Sequence, residues 1–164
     1  MVNELKNKVL SLVENDARLT KEKIAVMLDK SVDEIAQVIE ELEGEGVILG
    51  YKALVDWDKT DKEYVTALIE LKVTPKAGLG FDEVARIISA YPQVESVYLM
   101  SGGCDLCVTV RGKSFREISE FLSKELAVID SVTSTATQFI MKKYKEFGAE
   151  LNDADSDNRG SYLL

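Results

Sequence analysis

Apolar residues return at three- and four-residue steps through the first third of the chain, and largely at two-residue steps after it. Leu5, Val9, Leu12 and Val13 fall on one face of a first predicted helix. Thr20 stands as the N-cap of a second helix, which carries Ile24, Ala25, Val26 and Leu28. After a short turn at Asp29-Lys30, Ser31-Val-Asp-Glu34 reads as a capping box, with Glu34 placed to reach back to the helix start. Ile35, Val38, Ile39 and Leu42 make the apolar stripe of that third helix, and Gly44 and Gly46 end it. Three short helices, the last two joined by a tight turn, predict a helix-turn-helix unit over residues 1–50.

Val47–Val55 is rich in strand formers, and the polar stretch around Trp57 to Glu63 reads as a link, so residues 51–63 are assigned as a β-linker. Trp57 is expected to pack on a neighbouring element rather than hold a ligand. Residues 64–147 then alternate between the two periods. A strand over Tyr64–Val73 sets Val65, Ala67, Ile69, Leu71 and Val73 on one side. After Pro75 and Gly78-Leu-Gly80 comes a helix over Phe81–Ala90, with Val84, Ile87 and Ile88 inward. Strands Val94–Ser101 and Asp105–Arg111 follow, and Ser114 caps a helix carrying Phe115, Ile118, Phe121, Leu122 and Leu126. The threonine-rich run Val132–Lys142 is the last strand. The order βαββαβ is ferredoxin-like, so the fold class is α+β, a helix-turn-helix followed by a βαββαβ domain. Both helices cover one face of such a sheet, and a second copy of the chain is the natural cover for the other. Residues 148–164, with Asn152-Asp-Ala-Asp-Ser-Asp-Asn158, are expected to be an acidic, disordered tail.

Composition narrows the chemistry. A hydrophobic fraction of 46% and a charged fraction of 30% are those of an ordinary globular protein, and 164 residues suit one domain or two small ones. No run is long and apolar enough to span a bilayer, and Met1–Lys8 lacks the apolar block of a signal peptide. A cytoplasmic protein without membrane partners is expected. The chain has no histidine, which excludes Ser–His and Cys–His catalysis and histidine-ligated metal. No convergent set of carboxylates, lysines or tyrosines replaces it, so neither an enzyme nor a cofactor is expected. Cys104 and Cys107 form a C-x-x-C, but residues three apart in or beside a strand point to opposite faces, and no second pair completes a zinc site. They are read as structural thiols. A net charge of −9 disfavours indiscriminate attraction to nucleic acid.

One segment carries candidate chemistry. Between the second and third strands, Met100-Ser-Gly-Gly-Cys-Asp105 is a glycine turn bearing one carboxylate. Gly102 and Gly103 supply free torsions, and such a turn leaves backbone N–H groups beside Asp105. A small zwitterion suits that pairing, its carboxylate taking the N–H groups and its ammonium taking Asp105. An ordinary hairpin turn, with Asp105 only stabilising it, is the competing reading.

The helix-turn-helix with Ser31–Leu42, then Gly46-Val-Ile-Leu-Gly-Tyr51, Val94–Tyr98, Gly102-Gly-Cys-Asp105 and Thr133-Ser-Thr-Ala-Thr137, resembles the Lrp/AsnC (feast/famine) family of transcription regulators over residues 3–147. The resemblance implies an N-terminal unit that binds double-stranded DNA. It also implies a C-terminal domain that dimerises, often assembles into tetramers or octamers, and binds a free amino acid between dimers. By position, Met100, Ser101, Gly102, Gly103 and Asp105 would form the ligand turn, with Thr135 and Thr137 of the last strand lining the same pocket. The family usually has a non-glycine residue at Gly103 and an aromatic one at Cys104, and both departures make the pocket roomier.

The third helix departs further. It carries no lysine or arginine between Ser31 and Leu42, and acids outnumber bases by five over residues 1–60. Base reading needs few side chains, however. Gln37 suits adenine, and acids such as Asp33 and Glu41 suit cytosine N4. Ser31 and Val32 open the helix, and Lys21, Lys23 and Lys30 flank the turn where phosphates would lie. Salt-sensitive DNA binding that depends on several linked copies is expected. A ligand-sensing or scaffold oligomer that has lost DNA binding is the alternative. A tetrapyrrole decarboxylase, a third activity found in proteins resembling this family, is disfavoured because those enzymes are associated with an active-site histidine.

Overall fold

The computed structural model describes residues 4–75 and 80–151, which fall into two compact units dividing between Val55 and Asp56. The first unit contains α1 (Glu4–Asn15), α2 (Lys21–Leu28) and α3 (Val32–Gly44). Both predicted caps form. Thr20 Oγ1 accepts from the Lys23 N–H at 3.4 Å, and Ser31 Oγ accepts from the Glu34 N–H at 3.1 Å. The return half of the capping box differs, because the Glu34 carboxylate turns to the Lys30 ammonium at 3.2 Å, a charged partner. Between α2 and α3, Asp29 adopts the left-handed conformation (φ 53°, ψ 54°), and the Lys30 N–H closes on the Ala25 carbonyl at 2.9 Å. Val9, Ile24, Ala25, Ile35, Val38, Ile39 and Leu42 form the core of this unit. Val26, grouped from sequence with the apolar residues of the second helix, instead faces solvent beside Met27.

Val47–Val55 does not form the expected strand. The Val47 and Ile48 N–H groups both return to the Leu42 carbonyl, at 2.9 and 3.0 Å, and the rest of the run is irregular. A strand is stabilised by its ladder, and no neighbouring backbone pairs with this run among the described residues. The β-linker over 51–63 is therefore irregular apart from a 3₁₀ turn at Trp57–Lys59. Trp57 packs edge-on to Tyr64, with ring centroids 5.2 Å apart, and the Lys62 ammonium lies 5.6 Å from its ring centroid.

The second unit is an antiparallel sheet in the order β2-β3-β1-β4, made of β1 (Val65–Val73), β2 (Val94–Leu99), β3 (Leu106–Gly112) and β4 (Val132–Phe139). α4 (Asp82–Ser89) and α5 (Phe115–Phe121) lie on one face, and α5 runs on as a wide turn over Leu122–Leu126. Ala67, Ile69 and Leu71 of β1 and Leu106, Val108 and Val110 of β3 are fully buried against Val84, Ile88, Ile118, Phe121 and Leu126. Ile87, expected inward, is 42% exposed, while Val84 and Ile88 are the buried residues of its helix. Two register shifts mark the sheet: Glu95 is an extra residue on β2, and Thr133 one on β4, where its hydroxyl donates to the Lys72 carbonyl at 3.2 Å. Residues 148–151, assigned to the tail, are ordered, with Ala149–Glu150 pairing to Lys145–Glu146 in a short hairpin. The acidic run from residue 152 and the expected turn at 78–79 lie outside the described residues. No helix among the described residues is long and apolar enough to cross a membrane.

Candidate functional site

The first candidate surface is the helix-turn-helix itself. The buried stripe of α3 leaves Asp33, Gln37, Glu40 and Glu41 exposed on the opposite side, with Ser31 and Val32 exposed at its start. Lys21 and Lys23 lie in the first turn of α2, and Lys30 lies in the inter-helix turn. The acids of α3 do not stand alone. Glu40 lies 3.8 Å from Lys21 Nζ, Glu34 3.2 Å from Lys30 Nζ, and Glu41 3.1 Å from Lys6 Nζ on α1. Glu45 shares the Lys6 ammonium at 2.9 Å. The Lys6 ammonium holds the Glu41 carboxyl below the usual carboxylate range, with a further hydrogen bond from Gln37 acting the same way. Glu45 and Glu41 in turn raise Lys6 above its ordinary value. Glu34, Glu40 and Glu41 of α3 and Glu45 at its end are thus paired with lysines on the folded surface. Sequence reasoning missed Lys6, whose partners lie 35 and 39 residues away and leave no local signal.

The second candidate is the turn between β2 and β3. Met100 and Asp105 close it, the Met100 N–H donating to the Asp105 carbonyl at 2.8 Å. Gly102 takes φ 144°, a torsion glycine permits, whereas Gly103 has no such requirement. The N–H groups of Ser101, Gly102, Gly103 and Cys104 have no acceptor among the described residues. Asp105 is tied to the end of β1: its Oδ2 accepts from the Val73 N–H at 2.8 Å, and its own N–H donates to the Leu71 carbonyl at 2.9 Å. Its second carboxylate oxygen has no partner among the described residues. The turn therefore offers adjacent amide donors beside one half-committed carboxylate. That arrangement can hold the two ends of an α-amino acid.

Thr135 and Thr137 lie on β4 opposite Leu71 and Ile69. Paired residues share a face, so both threonines are on the helix side of the sheet. Leu71 also pairs with Leu106, which places Thr135 at the same sheet end as the turn and Thr137 two residues further along. The Thr137 hydroxyl is buried without a hydrogen-bond partner. Near that end, a cavity of about 290 Å³ lies between α4 and the segment before β4, lined by Val84, Ile87, Ile129 and Ser131 among others. The two cysteines are free thiols. Burial, with Cys104 and Glu70 nearby, pushes the Cys107 thiol up, away from the thiolate that redox chemistry needs.

Comparison with known proteins extends this picture. Residues 66–150 match the family model described as the Lrp/AsnC ligand binding domain. The chain is 46% identical over 159 residues to the uncharacterised HTH-type transcriptional regulator YugG of Bacillus subtilis (strain 168), covering 96% of both chains. Among solved structures it resembles the leucine response regulatory protein LrpA of Mycobacterium tuberculosis, with a TM-score of 0.74 at 19% identity, covering 92% of this chain and 99% of that one. It also resembles a transcriptional regulator of Neisseria meningitidis in complex with L-Met, with a TM-score of 0.70 at 20% identity, covering 89% and 94%.

Proposed function

Since the chain belongs to the Lrp/AsnC family, we propose that it is a DNA-binding transcription regulator that responds to a small amino acid or related metabolite. The observation that carries this reading is one chain holding both a capped α2–turn–α3 unit and a turn of four amides without an acceptor among the described residues, beside Asp105. The regulators among its relatives and the methionine complex of a structural neighbour support the two halves. It is a regulator and not an enzyme. The ligand set is Met100, Ser101, Gly102, Gly103 and Asp105, with Thr135 and Thr137 behind them. The amides take the effector carboxylate, and the second oxygen of Asp105 takes its ammonium. The chain works in the cytoplasm as a homodimer that builds tetramers or octamers, and the effector acts by shifting that assembly and so the DNA sites it spans.

Lys21, Lys23 and Lys30 face phosphates while α3 presents Gln37 to the bases. The pairs Lys21–Glu40 and Lys30–Glu34 are exposed and individually weak, worth about 0–1 kcal/mol, so phosphates can exchange into them. The test is a fluorescence-anisotropy titration against the upstream DNA of its own gene and a scrambled duplex, at ~50 and ~200 mM salt, with and without pooled amino acids. Preferential binding that weakens with salt and shifts with an amino acid is expected. An Asp105→Asn variant should keep DNA binding and lose the amino-acid shift. Equal affinity for both duplexes under every condition would leave a sensor or scaffold without DNA binding.

A further inference from the structure

We infer that Gln37 is the side chain through which α3 reads one base pair, and that Glu41, anchored by Lys6 of α1, positions its amide for that reading. The inference rests on the DNA-binding reading above and adds to it where sequence preference is encoded.

Gln37 Nε2 donates to Glu41 Oε1 at 3.1 Å, and the other oxygen of Glu41 lies 3.1 Å from Lys6 Nζ. Lys6 is itself held by Glu45 at 2.9 Å, and its side chain is only 14% exposed against 43% for Glu41. The chain of contacts therefore runs from a largely covered ammonium to an exposed amide. A glutamine amide can flip, exchanging its oxygen for its nitrogen. Here a flip would set the amide oxygen against a carboxylate oxygen, acceptor on acceptor, so Glu41 permits one orientation. In that orientation one N–H is spent on Glu41, and the amide keeps one N–H and the carbonyl oxygen for the groove. A donor beside an acceptor matches adenine, which presents N7 as acceptor and its N6 amino group as donor. Guanine presents two acceptors in the same places, so the fixed oxygen of Gln37 would oppose its O6. The ion pair also explains how a helix without lysine or arginine can approach phosphates: Lys6 offsets the charge of Glu41 beside the reading amide.

The experiment selects binding sites from a randomised duplex pool with the full-length protein, then measures affinity for the selected site and for its single-base variants. Wild type should prefer A·T at one position by about tenfold or more, and Gln37→Ala should lose that preference alone. Lys6→Met and Glu41→Ala should each weaken the same preference several-fold, read as the ratio of affinities for the selected site and its single-base variant so that a charge effect common to every duplex cancels, and Lys6→Arg should keep the wild-type ratio. Glu41 is an exposed position, so its variant stays informative if Lys6→Met fails to fold. If Gln37→Ala loses the preference while Glu41→Ala and Lys6→Met keep it, the positioning role is overturned and DNA binding stands. If Gln37→Ala keeps the wild-type preference, Gln37 is not the reader. If wild type selects no sequence at all, the DNA-binding reading fails and this inference fails with it.

Discussion

Gly112 ends β3 where a side chain has no room: a Cβ there would lie 2.9 Å from Ile118 Cγ1, itself 1% exposed in the core. Gly112→Ala must push Ile118 out of its packing and should cost about 1–3 kcal/mol, read as a lower thermal midpoint for the sheet unit. Nothing in the sequence marked this glycine, because the clash comes from a helix that packs back onto the strand. The same limit applies to Asp105. Its place in a glycine turn was legible, but its bond to the Val73 N–H joins residues 32 apart, and no spacing rule anticipates that. Thr20, Ser31 and Ser114 were legible, because a cap bonds to an N–H three residues on, within reach of local pattern. Gly103 was overread: of the two glycines in the turn, only Gly102 takes a torsion that favours glycine.

At the scale of elements, β1 and β3 were read closely from alternation because every second residue, Ala67 to Val73 and Leu106 to Val110, is buried. Val47–Val55 had the composition of a strand but no partner among the described residues, and β-propensity without a ladder yields an irregular run. α3 shows the converse. Its stripe was legible, but the partners of its acids were not, because Lys6, Lys21 and Lys30 reach it from other parts of the unit. Replacing Glu40 by lysine removes one acid and releases Lys21 to the phosphates. Glu40→Lys should tighten binding to any duplex severalfold at low salt and steepen the salt dependence by about one to two phosphate contacts. Anisotropy across a salt series checks this, and an unchanged slope would mean that this face of α3 stays away from DNA.

At the scale of the whole molecule, the sheet face turned from the helices carries Leu68, Glu70, Cys107, Thr109, Tyr98 and Ala136, a mixed surface with Tyr98 57% exposed. In the function proposed above, a second copy is the cover for that face. Light scattering should therefore give at least a dimer for wild type and a smaller species for Leu68→Arg, which sets a charge in the middle of it. A monomeric wild type would leave the face to solvent and remove the route from effector to assembly. The bond from the Val73 amide to Asp105 has one more consequence, for how effector binding would be seen. Val73 is the last residue of β1, and its N–H donates to the same carboxylate that an effector ammonium would share. Deuterium uptake at this single amide should then change when the effector arrives, while uptake at Ile69 and Val108, deep in the sheet, stays slow. With the effector bound as proposed, strand β1 would carry a built-in reporter, and one exchange-resolved proton would register occupancy of the turn before any DNA is added.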